Sequence, residues 1–568
     1  MILSSIIATA QVCAELGVRR AIISPGSRNA PLTIAFVRHP NIETYTVSDE
    51  RSAAFIGLGM ARQTQNPVAL ICTSGSAAYN YAPAVAEAYF QQIPLLILTA
   101  DRPPEWIDQL DGQTIRQRDT YGKHVKASYE LPVGQTEADQ WHAQRQISEA
   151  VNQTRSYPPG PVHINVPIRD PFYPEESEVV SFDNPVKVIR VSEGEMQLSA
   201  DLQQQLQTEW QQYERKLIVV GQSSLDLNLC QQLEEFSQQQ HIPLVADIIS
   251  NVHPTDSAIK HPDIFLGKNA LESLQPDLLI TFGLSVISKN LKLFLRKYRP
   301  QAHWHFRPSG VAADTFQALT RVIHTYPNSL FQLAKDWIEK SQNTYYQAWQ
   351  AQEEQAVQKV SEFFISPEAR ASEYYAVSVA LKDLPQLSSL HLANSMAVRY
   401  ANLIGLSSSY SEVEVIANRG TSGIDGSSST AVGAALSSPD RLHILITGDL
   451  AFFYDRNAFW HNYPLPNLRV ILLNNHGGGI FRMINGPSRQ PELDEYFETR
   501  QSLEAENTAR DFGMEYQRID ITQRSAQKEL EEILPDFFAE NSRHAKLLEI
   551  ISDSKTNTKV FRQFKSKD

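Results

Sequence analysis

Two short apolar runs, 443–447 and 469–473, constrain this chain more than any other feature. Each is rich in Ile, Leu and Val, Ile444-Leu445-Ile446 in the first and Val470-Ile471-Leu472-Leu473 in the second, the pattern of a strand buried on both faces of a parallel sheet. The first ends in Gly448-Asp449, the second in Asn474-Asn475 followed by His476 and three glycines. Loops at the carboxyl ends of parallel strands form the ligand crevice of an α/β sheet. Asp449 and Asn475 are therefore expected to project oxygens into one cleft, beside a helix starting near Ala451. A carboxylate, an amide oxygen and a peptide carbonyl suit a hard cation of the magnesium kind, and a helix start suits a phosphate. Ordinary βαβ units end their strands on the same residue types, so spacing alone leaves both readings open.

Two other chemistries fail. His476-Gly477-Gly478-Gly479 has the look of a lipase oxyanion loop, but no Gly-x-Ser-x-Gly elbow accompanies it, and Gly420-Thr421-Ser422-Gly423 lacks the last glycine. No Gly-x-x-x-x-Gly-Lys phosphate loop occurs. The charge balance, 51 Lys and Arg against 64 Asp and Glu, gives −13 and argues against general nucleic-acid binding. Local arginines can still bind a small anion. Cys13, Cys72 and Cys230 sit in apolar settings and predict core packing, not a disulfide framework. No apolar run approaches the roughly 18 residues of a membrane span. The first ten residues lack a basic start and continue through Val12, Leu16 and Val18 as an amphipathic helix, so a cytoplasmic protein is expected.

The 568 residues alternate strand and helix throughout, which means parallel sheets covered on both faces. In the first unit the runs Arg20–Ser24, Val68–Cys72, Leu95–Thr99 and Pro161–Val166 read as strands, and Pro171 to Pro185, with Glu175, Glu176 and Glu178, reads as a linker. In the second unit Leu217–Val220, Leu244–Ala246, Leu278–Phe282 and His303–Phe306 are strands. Gly221-Gln222-Ser223-Ser224 supplies one glycine where a dinucleotide fingerprint needs three. A Gln- and Glu-rich helical stretch, about 329–360, contains the next boundary. The third unit adds Leu390–Ala393, Val413–Ala417 and Leu547–Ile551 to the two opening strands, and its basic end, Lys559 to Asp568, reads equally as a tail or a docked terminus. The expected division is 1–183, 184–348 and 349–568, three doubly wound parallel-sheet α/β domains.

Glu50, in Val47-Ser48-Asp49-Glu50-Arg51-Ser52-Ala53-Ala54, opens a helix capped by Ser48 or Asp49. An acid there complements the helix dipole without any further role. Taken with the opening stretch, however, the chain resembles the thiamine diphosphate-dependent enzymes. Gly448-Asp449 with Asn474-Asn475 is similar to their diphosphate-binding motif, and Glu50 before Ala-Ala-Phe-x-Gly-Leu-Gly to their activating glutamate. The segments 24–32, 99–104 and 418–426 (Asn418-Arg419-Gly420-Thr421-Ser422-Gly423-Ile424-Asp425-Gly426) are similar to the MenD family. Its members join 2-oxoglutarate to isochorismate in menaquinone or phylloquinone biosynthesis. The likeness is spread over the first and third units.

The resemblance implies pyrimidine-binding, central and diphosphate-binding domains in that order, the decarboxylase-like architecture, and an active site shared between subunits of a homodimer or homotetramer. It implies thiamine diphosphate with Mg2+ or Mn2+ as cofactors, the metal held by Asp449, Asn475 and the Gly477 carbonyl. Leu450 and Ala451 would offer backbone N–H groups, Ile424 would wedge between the cofactor rings, and Glu50 would hydrogen-bond the pyrimidine ring as the catalytic group. Arg399 and Arg419 match positions for the 2-oxoglutarate-derived carboxylate, which an arginine fork can grip bidentately. Ser27, Arg28, Gln113 and Lys289 match positions around isochorismate, although Asn290 follows Lys289 where a second basic residue often stands. Ser395 would touch cofactor or substrate, and Ile480 and Phe481 would form apolar walls. The implied product is 2-succinyl-5-enolpyruvyl-6-hydroxy-3-cyclohexene-1-carboxylate. The alternatives are another thiamine diphosphate-dependent 2-oxoacid decarboxylase or carboligase, for which Arg28, Arg399 and Arg419 together are superfluous, and a non-catalytic nucleotide-binding protein, against which Glu50, Asp449 and Asn475 stand. No nucleic-acid partner and no membrane span are expected.

Overall fold

Alternating apolar runs and amphipathic helices build three parallel sheets of six strands each. The computed structural model describes residues 4–169, 173, 174, 180–192, 194, 196–267, 271–337 and 343–566. The first sheet comprises β1 (Arg20–Ile23), β2 (Glu43–Thr46), β3 (Val68–Cys72), β4 (Leu95–Asp101), β5 (Ser128–Glu130) and β6 (Val162–Pro167). The second holds β7 (Lys216–Val220), β8 (Leu244–Ala246), β9 (Ala258–Ile259), β10 (Leu278–Phe282), β11 (Ala302–Arg307) and β12 (Arg321–His324). The third holds β13 (Ser388–Leu392), β14 (Glu414–Ile416), β15 (Leu442–Gly448), β16 (Leu468–Asn474), β17 (Glu515–Asp520) and β18 (Lys546–Ile551). The doubly wound parallel class expected from the sequence is the one observed. The strands without an apolar run, β2, β5, β9, β12 and β17, all lie at or beside sheet edges. Four of them keep exposed or half-exposed positions, and β9 has only two residues.

The first and third sheets share one order, β2-β1-β3-β4-β6-β5 and β14-β13-β15-β16-β18-β17. The middle sheet runs β12-β11-β10-β7-β8-β9, the 3-2-1-4-5-6 order of dinucleotide domains. Gly221, at the end of β7, has a different task from cradling phosphate. A Cβ there would overlap the Leu284 carbonyl, so the glycine lets the loops after β7 and β10 touch. The next side chain, Gln222, donates to the Gln91 side chain at 3.0 Å and to the Ala417 carbonyl at 2.9 Å, joining all three units.

The first and third units meet through helices Glu50–Thr64 and Ser427–Ser437. Small residues fill the second helix, and a Cβ at Gly433 would overlap the Ile56 carbonyl, as one at Gly59 would overlap that of Thr430. Helix Asn343–Phe363 straddles the other boundary. Tyr345 and Trp349 pack on the middle unit, while Ala356, Val360 and Phe363 join the third. Between them Glu353 accepts from the backbone of Lys260 and His261 and from the His261 ring, whose other nitrogen meets the Ile404 carbonyl at 2.9 Å.

Of the expected linker, Glu175, Glu176 and Glu178 lie outside the described residues. Val180, Phe182, Val186 and Val188 pack against the core of the first unit. The basic end is docked, because helix Ser554–Ser566 buries Val560, Phe561 and Phe564. Cys13, Cys72 and Cys230 are buried and free. Among the described residues no helix is long and apolar enough to cross a membrane.

Backbone meets backbone at Gly433, so no side-chain rotation can accommodate a methyl group there. Gly433→Ala is expected to cost about 1–3 kcal/mol or more, read as a lower denaturation midpoint. An unchanged midpoint would contradict the contact.

Candidate active site

The order of the third sheet reverses between β13 and β15, and a ligand crevice opens where such a reversal parts the loops. The loops after β13, β15 and β16 carry Ser395, Asp449 and Asn475. Gly448 pairs with Leu473 and Asn474 with Ile551, so Asp449 and Asn475 leave the sheet side by side. The helix after β15 is Asp449–Tyr454, starting two residues before Ala451.

Asp449 is almost wholly buried. Its Oδ1 accepts the Leu450 N–H at 2.8 Å, and its Oδ2 accepts the Gly477 N–H at 2.7 Å and the Gln501 amide at 3.0 Å. Burial pushes its carboxyl up to about 7, against the pull of the Gln501, Leu450 and Gly477 hydrogen bonds. A cation bound beside it would favour the charged form. Asn475 donates its amide N–H to Glu373 at 2.7 Å, which turns Oδ1 the other way, buried and without a hydrogen-bond partner. The Gly477 carbonyl accepts from Gly479 at 3.0 Å and keeps its second lone pair. One carboxylate, one orphaned amide oxygen and one peptide oxygen fit a hard cation that takes its remaining ligands from water and phosphate. Among the described residues no cluster of three or more His, Cys, Asp or Glu forms a separate metal cage.

The loop after β16 is clamped from outside. His476 holds φ +60°, Gly478 donates to the Glu498 carbonyl at 2.6 Å, and Gln501 donates to the His476 carbonyl at 3.1 Å. Ile480 packs half-buried on the third core, and Phe481 lies 6.0 Å from the Phe497 ring.

Arg399 and Arg419 approach the same crevice. Ser395 sits at φ +75°, a strained left-handed conformation that costs a non-glycine residue about 1–3 kcal/mol. It starts helix Met396–Ile404, and its carbonyl accepts from Arg399 Nη1. Arg419 Nη1 donates to Asn394 Oδ1 at 2.7 Å, and its Nε is buried without a hydrogen-bond partner. Burial lowers the pKa of both guanidiniums, and their mutual repulsion adds to the effect on Arg399. Glu87, a buried carboxylate of the first unit, fixes the loop that bears Arg419 by accepting from the N–H groups of Gly420 at 2.8 Å and Thr421 at 2.6 Å. At the far side of that loop Ile424 remains 41% exposed, an apolar side chain held into open space. Lys289 begins helix Lys289–Lys297 of the middle unit, solvent-exposed.

The remaining expected residues cluster at the reversal between β1 and β3 of the first sheet. Glu50 starts helix Glu50–Thr64, capped by Asp49 through the Ser52 N–H, and accepts from Asn80 at 3.2 Å. Ser27 is exposed, whereas Arg28 is buried with Nη1 on the Ile168 carbonyl at 3.0 Å. Gln113 is exposed in a left-handed turn beside Gly75, and Arg102 secures that turn through the Gly112 carbonyl at 2.9 Å. The chain thus forms two groups of site residues. The hydrogen-bond partner of Glu50, Asn80, lies in the first unit, and those of Asp449, namely Leu450, Gly477 and Gln501, lie in the third.

Comparison with known proteins decides the family. Models described as the N-terminal TPP-binding domain of thiamine pyrophosphate enzymes, the middle domain of thiamine pyrophosphate, and the C-terminal TPP-binding domain match residues 7–121, 190–390 and 403–550. The chain is 46% identical over 98% of its length, and 97% of the relative's, to a Cytophaga hutchinsonii protein named 2-succinyl-5-enolpyruvyl-6-hydroxy-3-cyclohexene-1-carboxylate synthase. Proteins of that name from Flavobacterium johnsoniae (38% identical, 90% of each chain) and Porphyromonas gingivalis (38%, 96% of this chain and 94% of the relative) agree. The chain belongs to this synthase family. The resemblance carried by the sequence motifs is borne out, and the synthase family's thiamine-binding domains coincide with the units that hold the two groups of site residues.

Glu373, Gln501 and Glu87 have no motif to reveal them, because each acts through a fold contact across more than 50 residues of chain. Glu373→Ala frees the Asn475 amide to rotate. Magnesium affinity is expected to fall about 10–100-fold, measured by calorimetric titration in the presence of thiamine diphosphate. Unchanged affinity would mean that Glu373 does not orient Asn475.

Proposed function

We propose that the chain catalyses thiamine diphosphate-dependent decarboxylation of 2-oxoglutarate and addition of the resulting succinyl unit to isochorismate. The products are carbon dioxide and 2-succinyl-5-enolpyruvyl-6-hydroxy-3-cyclohexene-1-carboxylate. The observation that carries this reading is the convergence of the Asp449–Asn475 oxygens with Arg399 and Arg419 at one strand-end crevice, in a chain of this family.

Asp449, the Asn475 side chain and the Gly477 carbonyl would hold Mg2+ or Mn2+ against the diphosphate, beside the Leu450 and Ala451 backbone. When bound, thiamine diphosphate supplies the electron sink that makes loss of carbon dioxide from a 2-oxoacid feasible. Glu50 would hold a proton on the cofactor's pyrimidine ring. Ile424 would brace the cofactor, and Ser395, Ile480 and Phe481 would line the reacting centre and keep water from it. Arg399 and Arg419 would grip the distal carboxylate of 2-oxoglutarate, and Ser27, Arg28, Gln113 and Lys289 the isochorismate side. Arg28 would act partly through the Ile168 carbonyl it already bonds.

Glu50 starts a helix of the first unit and Asp449 one of the third, which supports a homodimer, or a dimer of dimers, in which each site would draw its two groups of residues from different copies. Tyr79, beside Glu50's partner Asn80, and Tyr454 and Trp460, beyond the Asp449 helix, are each more than half exposed, as a face that meets a second copy would be.

Purified protein with thiamine diphosphate and magnesium is expected to consume 2-oxoglutarate and isochorismate together, and to stop when any one component is omitted. Failure of that assay would sink the reading. Glu50→Gln is expected to lower turnover by about 10²–10⁴-fold while leaving cofactor binding measurable, and unchanged turnover would remove Glu50 from the mechanism.

A further inference from the structure

We propose that Lys565, on the C-terminal helix, is a specificity-determining residue that grips a carboxylate of isochorismate together with Lys289. This rests on the reaction proposed above. The helix Ser554–Ser566 turns Val560, Phe561 and Phe564 inward and Lys555, Lys559, Arg562 and Lys565 outward. Its apolar side places it at the crevice. The Phe561 ring meets that of Tyr400 at 5.9 Å, and Tyr400 follows Arg399 on helix Met396–Ile404. Helix Ser554–Ser566 also packs on the short helix Ile480–Met483 that follows the three glycines, where Arg562 donates to the Arg482 carbonyl at 2.9 Å, and Phe561 belongs to the same apolar cluster as Ile264 and Ile287 of the middle unit. The last turn of the helix therefore ends where the middle unit, the loop after β16 and Arg399 come together.

The Lys565 ammonium is held in that turn. Its Nζ lies 4.6 Å from the centroid of the Phe561 ring, four residues earlier on the same helix. Among the described residues no carboxylate forms an ion pair with it. Its electrostatic neighbours are Asp263, Lys289 and Arg399. Burial, with repulsion from the two cations and against the attraction of Asp263, lowers its pKa. Asp263 is already committed, accepting at 2.8 Å from both the Ser288 hydroxyl and the Asn290 N–H. Asn290 itself bonds the Asp263 carbonyl at 2.8 Å and contributes no charge. Lys565, Lys289 and Arg399 thus outnumber the one carboxylate, Asp263, among these neighbours, and both of its hydrogen bonds fall on Oδ1. Gathering like charges is unfavourable unless an anion joins them. Lys565 as a whole residue is exposed, so an anion can approach its partly desolvated ammonium from solvent. In the reaction proposed above 2-oxoglutarate would answer Arg399 together with Arg419, which leaves the Lys289–Lys565 pair for the other dicarboxylate.

Lys565→Met keeps the aliphatic stem over Phe561 and removes the charge, while Lys565→Arg keeps both. Steady-state kinetics of the intact enzyme, varying each substrate in turn, separates the possibilities. The Met variant is expected to raise KM for isochorismate about 10–100-fold, the loss of one charge-assisted contact. KM for 2-oxoglutarate, magnesium affinity, cofactor affinity and melting temperature should stay close to the parent. The Arg variant should recover most of the isochorismate KM, and Lys565→Gln should behave like Met. Parental turnover with an isochorismate KM unchanged in both neutral variants overturns the role of Lys565 alone. A parent that turns over no isochorismate overturns the reaction, and this proposal with it.

Discussion

Two helices touch backbone to backbone, and much of the molecule is arranged by that contact. Glu50–Thr64 and Ser427–Ser437 can approach this closely only because Gly59 and Gly433 lack a Cβ and the second helix is built from small residues. Residues at opposite ends of the chain's first and third units are thereby locked together with little freedom to slide. The buried Glu87 carboxylate uses this fixed relation to capture the loop from Gly420 to Thr421, and with it Arg419 and Ile424. An unpaired buried carboxylate would be costly, so the loop and Glu87 hold each other. Gln222 adds the middle unit to the same junction.

On this frame the chemistry follows strand ends. The first and third sheets have the same order, so each reverses direction at an equivalent point and opens an equivalent crevice. One crevice carries a metal-type donor set and arginines, and the other carries Glu50 with Ser27 and Gln113 near it. A reaction that needs both a bound diphosphate and a proton-holding carboxylate would draw on both crevices. In the proposed dimer a second copy of the chain would supply the complement without any new fold. The strain at Ser395 and the left-handed turns at Gln113 and His476 lie at these crevices, where positioning of functional groups justifies conformations that packing alone would avoid.

The sequence made part of this legible. Central strands such as β3, β4, β15 and β16 are buried on both faces, so each carries an unbroken aliphatic stretch that marks it. β17 at an edge needs few apolar residues and left no such trace. Asp449, Asn475, Glu50, Arg399 and Arg419 stand among motifs of neighbouring residues, so a role could be proposed for each from the sequence. None was legible for Glu373, Gln501 and Glu87, since their meaning arises from contacts the chain makes only once folded. Lys565 is of the same kind. In the sequence it belongs to a basic end that reads as a tail, and only the burial of Phe561 and Phe564 brings it to the crevice.

The central claim is that each active site combines Glu50 of one copy with Asp449 of another. Mixing two inactive variants tests it most directly. Glu50→Gln and Asp449→Ala chains, co-expressed so that subunits exchange at random, place one intact site in every mixed dimer if the site is shared. Half of the dimers are mixed and each has one of two sites intact, so activity should return to about a quarter of the parent. If the two carboxylates of one chain served the same site, no mixed dimer would contain an intact site. Activity would then stay at the level of the separate variants, which would contradict the account.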